Sequence, residues 1–248
     1  MDELATMFAC MTAFHVTLGL AARGGRPFEH DGLVAAIVPG LPDLAVANAA
    51  VYRDAAGLAV ALPLLEQAYE DAGVRRSLIW VPPNDHGAYE ALRAAGYAAD
   101  AEAPAMALDL ALLPAEDDPP DDWTDTPEPA EIAHIVERSY GLADGAVGAA
   151  IRGWLEPATT FVARLDGRPA CCLTMVREGP DAGVFLVGTI PEARGRGLAR
   201  RLLLHALHGA RGAGATVSTL QSSRLGYPVY RRLGYIELCR LGMWERGR

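Results

Sequence analysis

No residue of this chain is lysine; all 22 of its basic residues are arginine. That absence removes whole classes of chemistry. A P-loop needs a lysine after its last glycine to reach the phosphates, so that nucleotide site is excluded. A lysine Schiff base and the Ser-x-x-Lys nucleophile go with it. Cysteine is scarce: Cys10, Cys171, Cys172 and Cys239. None has C-x-x-C spacing, and the neighbours Cys171 and Cys172 should face opposite sides of a strand. Buried free thiols in a cytoplasmic protein are the expectation. The six histidines are scattered, so no metal site is expected, and His205 and His208 read as helix-surface residues. Long unbroken apolar runs are missing too. Leu4 to Ala22 is apolar, but Asp2 and Glu3 precede it, His15 interrupts it and no basic segment leads it. An amphipathic helix fits that stretch better than a signal peptide, and no membrane span is expected.

Charge is present but unevenly spread. The net charge of −9 divides into −13 for residues 1–124, with 19 acids against six arginines, and +4 for residues 125–248, with 12 acids against 16 arginines. The positive excess suits a small polyanionic cofactor. No stripe of basic residues with interleaved aromatics runs through it, so nucleic acid is not an expected partner. The acidic first half mildly favours a cationic acceptor.

The most informative stretch is Val184 to Leu204, V-F-L-V-G-T-I-P-E-A-R-G-R-G-L-A-R-R-L-L-L. Val184 to Ile190 reads as a strand that Pro191 stops, because proline cannot donate to a sheet ladder. Arg194, Gly195, Arg196 and Gly197 follow, and a helical pattern starts at Leu198. Strand, glycine-rich turn and helix start together bind phosphate: the glycines let backbone N–H groups converge, the helix dipole adds positive potential, and the arginines add charge. A dinucleotide fingerprint fails, since Arg200 stands where its last glycine or alanine belongs. Farther on, Gly212-Ala-Gly214 is a helix stop, Thr216 to Leu220 a short strand, and Arg224 to Tyr235, R-L-G-Y-P-V-Y-R-R-L-G-Y, a short helix opened by Pro228 and closed by Gly234. Upstream, Glu131 to Tyr140 and Val147 to Leu155 read as helices. Thr160 to Leu165 and Ala170 to Val176 read as strands joined by an Asp166-Gly167 hairpin.

The hexapeptide Arg194 to Ala199 resembles motif A of the GNAT acetyltransferases, Q/R-x-x-G-x-G/A, with Arg194, Gly197 and Ala199 at its defined positions. The approach V-G-T-I-P is similar to the family's strand end. Tyr230, Gly234 and Tyr235 fall on the tyrosine, glycine and aromatic of its late helix. The order of elements agrees as well, so the resemblance covers about residues 125 to 246. It implies a mixed α/β fold and acetyl-coenzyme A as cosubstrate. It assigns the coenzyme to Val187, Gly188 and Thr189 on the strand end, to Arg194, Gly195, Arg196, Gly197, Leu198 and Ala199 in the turn, and to Ser222 and Ser223, Ser223 standing where the family has asparagine. It also implies that backbone N–H groups of Val187 to Thr189 stabilise the oxyanion and that Tyr230 protonates the departing thiolate. Tyr227 is a weaker choice for that acid. The general base is missing: many relatives carry a glutamate on the strand, and Val184 to Ile190 has no acid. Glu178, Asp181 and Glu192 are near in sequence but unmatched, so an ordered water or an acceptor that arrives neutral stays open.

The first half reads as a second copy. Shifted by 138 positions, residues 56–97 fall on residues 194–235 without a gap and share ten identities, among them Gly57 with Gly195, Gly96 with Gly234 and Tyr97 with Tyr235. Ala56, Ala59 and Leu92 replace Arg194, Gly197 and Tyr230. The W-x-x-P of Trp80 to Pro83 and the close Pro104 to Leu110 resemble the N-terminal halves of tandem GNAT proteins. The expected organisation is therefore two tandem GNAT-like folds. Residues 1–112 form a degenerate, non-catalytic copy, 113–129 a proline- and acid-rich linker, and 130–248 the catalytic domain. The activity implied is transfer of acetyl to a primary amine of a small molecule or peptide. Mycothiol synthase-like enzymes share the tandem arrangement. The alternative is a non-catalytic acyl-coenzyme-A-binding sensor or scaffold. The acceptor and a homodimeric state are left open.

Overall fold

The computed structural model describes residues 2–115, 118–153 and 158–247. Helix α1, Glu3–Ala21, starts where the Asp2 carboxylate accepts from the N–H groups of Leu4 and Ala5. It is long and apolar enough to cross a bilayer by length and composition. In the fold Met7, Cys10, Met11 and Leu18 are buried, and the helix packs on strands from both halves of the chain. The hairpin β1, Arg26–His30, and β2, Leu33–Ile37, turns on Asp31 and Gly32, both at positive φ. Then come β3, Ala49–Tyr52, α2, Ala55–Asp71, β4, Arg76–Val81, α3, His86–Ala94, and β5, Ala98–Asp109.

The second half follows the same order. Edge strand β6, Trp123–Thr124, leads to α4, Pro129–Tyr140, and α5, Ala146–Ala150. The hairpin β7, Ala158–Leu165, and β8, Arg168–Glu178, turns on Asp166 and Gly167, again both at positive φ. This is the I′ turn chemistry of the first hairpin repeated. Next are β9, Asp181–Thr189, α6, Leu198–Gly212, β10, Val217–Gln221, α7, Tyr227–Leu233, and β11, Ile236–Gly247. The helix expected over Val147 to Leu155 covers Ala146–Ala150 only; Ile151 is extended and bridges Ala22, and Trp154 and Leu155 lie outside the described residues.

The eleven strands of the described residues form one sheet in the order β1-β2-β3-β4-β11-β5-β10-β9-β8-β7-β6. The centre is an exchange. Strand β11 closes the second half in sequence, yet pairs antiparallel with β4 of the first half, from Gly242 opposite Val81 to Gly247 opposite Arg76. Strand β5 closes the first half, yet pairs antiparallel with β10 of the second. The two exchanged strands then pair with each other. Each half thus completes the other's sheet.

The linker is partly docked. Trp123 pairs opposite Ala163 and packs against the core, and Asp122 and Glu131 both bind the Arg164 guanidinium. His205 and His208 take part in that docking rather than pointing to solvent. The Trp123 ring lies 4.1 Å from the His205 ring, and His208 Nε2 is 2.9 Å from the Pro114 carbonyl. Cys171 and Cys172 sit in two different core clusters on opposite sheet faces, and all four cysteines are free.

Candidate active site

The sheet opens where β9 leaves β10. The two are parallel, with Asp181 opposite Val217 and Val184 opposite Leu220. Beyond Val184, β9 has register partners only on β8. There it carries a bulge: Cys172 opposes Gly188 and Thr174 opposes Phe185, so Leu186 and Val187 together face Leu173. Leu186 sits at φ 49°, left-handed space that a leucine occupies at a cost of roughly 1–2 kcal/mol. The bulge turns these peptide groups toward side chains. The Cys172 thiol reaches the Leu186 carbonyl, and the Tyr140 hydroxyl donates to the Val187 carbonyl at 3.1 Å. Gly188 is required by crowding, since a Cβ there would lie 2.9 Å from Ser139 Oγ of α4.

The turn before α6 has the features of an anion cradle. Gly195 and Gly197 are both at φ 76°, and Gly197 stands at the helix N-cap. A Cβ at either would meet nothing within 4 Å, so glycine is needed here for its backbone conformation. No side chain caps the first turn of α6. Its free N–H groups and the positive end of its dipole face outward, with Leu198 and Ala199 leading the helix. Arg194 to Gly197 are exposed. These residues fit the pyrophosphate of a coenzyme. The Arg194 side chain, however, reaches back: Nε donates to the Thr189 carbonyl and Nη2 to the Ser139 carbonyl. It braces the turn against β9 and α4, which leaves Arg196 as the exposed cation within the turn.

The corresponding place in the first half is closed. Residues 56–59, in register with 194–197, lie inside helix α2 instead of forming a turn. The Asp54 carboxylate caps that helix by accepting from Gly57 N–H at 2.8 Å. A Cβ on Gly57 would fall 2.1 Å from the Asp31 carbonyl oxygen. The dipole end is occupied by the chain's own carboxylate, and the β1–β2 turn presses on it.

A cavity of about 460 Å³ runs from this opening into the seam between the halves. Val184 to Val187, Gln221, Ser222, Ser223 and Tyr230 of the second half line it together with Phe14, His15 and Trp80 of the first. Tyr230 is buried on α7, its ring packed on Gly226, where a Cβ would approach it to 2.7 Å. Burial, with Cys171 beside it, pushes its phenol well above the usual tyrosine range, so it stays protonated. Tyr227 does not line the cavity, and the Glu237 carboxylate of β11 near its hydroxyl raises its pKa. Ser222 Oγ donates to the Ser223 carbonyl, and Ser223 Oγ accepts from Gly226 N–H, so both hydroxyls organise the start of α7.

None of the three nearby acids reaches the cavity. Glu178 is exposed at the end of β8. Glu192 pairs with Arg138. Asp181 is fully buried at the far end of β9, with Thr219 Oγ1 on one carboxylate oxygen and no partner among the described residues on the other. The cavity contributes instead three groups the sequence did not single out as functional. Tyr140 is half-accessible by area but enclosed by protein at longer range, which raises its hydroxyl's pKa. His15 is 3% exposed, and its Nδ1 lies 2.6 Å from the Met11 carbonyl. That carbonyl can only accept, so Nδ1 carries the proton and Nε2 is an acceptor. Burial lowers its pKa to about 4, keeping it neutral. Phe14 and Phe185, one from each half, stack at 4.3 Å. Only His15 gave a warning in the sequence, as the one interruption of an apolar run.

Comparison with known proteins agrees with this geometry. Residues 156–237 match the model of the acetyltransferase (GNAT) domain. The matched residues lie wholly within the second half of the chain. Over 86 residues the chain is 37% identical to a mycothiol acetyltransferase of Thermomonospora curvata, a match spanning 33% of this chain and 29% of that protein. In fold it is similar to a GCN5-related N-acetyltransferase from Kribbella flavida, at TM-score 0.64 and 20% identity, covering 96% of this chain and 94% of that one. A tandem GNAT protein from the clavulanic acid biosynthesis pathway is similar over 99% of this chain and 95% of its own, at TM-score 0.54 and 15% identity.

Proposed function

We propose that the chain is an N-acetyltransferase that binds acetyl-coenzyme A in its second half and passes the acetyl group directly to an amine. One observation carries the reading: an uncapped, glycine-built helix start follows closely on a bulged strand, and that strand shares a cavity with a protonated, buried tyrosine. Backbone N–H groups from Gly195 to Ala199 hold the pyrophosphate, with Arg196 adding charge. Backbone N–H groups from Val187 to Thr189, at and just past the bulge, hold the pantetheine and the carbonyl oxygen under attack. Tyr230, neutral at working pH, gives its proton to the sulfur as the C–S bond breaks. The Arg194 side chain and the Ser222 and Ser223 hydroxyls position these parts. The first half walls the acceptor cavity and binds no coenzyme.

The test is release of free coenzyme A from acetyl-coenzyme A over a panel of amines, with the acetylated product identified by mass. Turnover of at least one amine at ten times the hydrolysis background is expected. Tight coenzyme binding with no turnover of any amine would support the sensor or scaffold alternative instead.

A further inference from the structure

The cavity in the seam between the halves is unusual for what lines it. Among the described residues no aspartate, glutamate or arginine is on its wall. Its polar groups are His15, Tyr140, Gln221, Ser222, Ser223 and Tyr230, and three of these titrate. His15 stays neutral above pH 5, and both tyrosines stay protonated. The remaining wall is aliphatic and aromatic, and Phe14 and Phe185 present a stacked pair to it. The acidic charge of the first half lies elsewhere on the molecule and offers this space no counter-ion.

An alkylammonium entering such a space loses its water and gains no carboxylate from the described wall. It also finds no group able to take its proton, since an imidazole with a pKa of about 4 is too weak a base for an alkylammonium. A neutral amine meets neither barrier. We infer that the acceptor is an amine uncharged at neutral pH and carried on an apolar ring-bearing body, in chemical terms an arylamine. The inference rests on the acetyl-transfer reading and names its substrate class. The aryl ring delocalises the nitrogen lone pair, so the amine arrives unprotonated, and the absence of a general base ceases to be a gap. The new N–C bond replaces the C–S bond. The proton shed by nitrogen returns through water to Tyr230, which has given its own to sulfur. His15 Nε2 and the Gln221 amide, whose nitrogen is buried without a partner among the described residues, are the polar anchors for the rest of the molecule.

The test uses the whole unmodified chain with 4-butylaniline, hexylamine, spermidine and glucosamine as acceptors. The expected result is a kcat/KM for 4-butylaniline at least tenfold above each of the others, level within threefold from pH 6 to 9. Equal or better use of spermidine, hexylamine or glucosamine overturns the inference, as does a tenfold rise per pH unit with 4-butylaniline. Calorimetry of 4-butylaniline without coenzyme separates the two layers. Binding without turnover of any amine sustains the cavity assignment while removing the acetyl-transfer reading. Absence of binding alongside turnover of a polyamine does the reverse. Ala47→Phe, which fills the cavity from the first half, should weaken 4-butylaniline at least tenfold and leave acetyl-coenzyme A affinity within threefold. Unchanged 4-butylaniline affinity in the folded variant also overturns the inference.

Discussion

Tyr230 shows how one position is read twice. In the sequence it stands four residues before a glycine and two after a proline, which makes it the first-turn tyrosine of a short helix. In the fold that helix turns it into the cavity, on a bed that only Gly226 leaves room for. Tyr230→Phe keeps the ring and deletes the hydroxyl. We expect kcat to fall by roughly 10² to 10⁴, with coenzyme affinity within about threefold. The same change at Tyr227 should do much less, because that residue does not line the cavity. A parental rate in Tyr230→Phe would make the hydroxyl structural. Asp181 makes a different prediction. Burial raises its carboxyl from 3.8 to about 6. The folded state then holds a proton that the unfolded state has released, so stability falls as pH rises from about 4 through about 6 and levels off above. The difference corresponds to about 3 kcal/mol. Asp181→Asn removes it. Urea unfolding should find the variant more stable than the parent at pH 8, with the gap shrinking toward pH 4. A gap independent of pH would contradict the assignment. At this scale the motif residues were legible, because local backbone chemistry selects them. His15, Tyr140 and Phe14 were not, because which face of α1 or α4 meets the cavity is decided by packing between halves.

At the scale of elements, the turn from Arg194 to Gly197 was readable because two glycines beside a proline-stopped strand leave few alternatives. The structure keeps that turn, and the Arg194 side chain braces it against β9 and α4. The bulge was not readable: Phe185-Leu186-Val187 has the composition of a regular strand, and nothing local announces a leucine at positive φ. The docking of the linker was not readable for a related reason. Prolines and acids do forbid a helix or a central strand, but an edge strand of two residues escapes that rule, and Trp123 supplies the apolar contact that docks it. The turn is tested by Gly197→Asp, which places a side chain and a negative charge where the pyrophosphate is proposed to sit and where no neighbour obstructs it. Acetyl-coenzyme A affinity should fall at least tenfold by calorimetry, roughly 1.4 kcal/mol. Undiminished affinity in the folded variant would remove the site.

At the scale of the molecule, the repeat was read from a 138-residue offset, and each half also carries a hairpin turning on Asp-Gly, Asp31-Gly32 and Asp166-Gly167. The exchange of β5 and β11 was not legible, since strands of the two copies with similar patterns can pair either way. Its consequence is that a cut between the halves strips β10 and β11 of β5, and β11 of β4. Residues 125–248 alone should lack a cooperative unfolding transition and regain it when residues 1–124 are supplied. A fragment that unfolds cooperatively near the parental midpoint would contradict the exchange. The central claim is the inequality of the halves: one cradle open at α6, its counterpart wound into α2 and capped by Asp54. Titrating acetyl-coenzyme A into the full chain by calorimetry measures it directly. One coenzyme per chain, lost in Gly197→Asp, is the predicted result; two per chain, or one that survives Gly197→Asp unchanged, would contradict it.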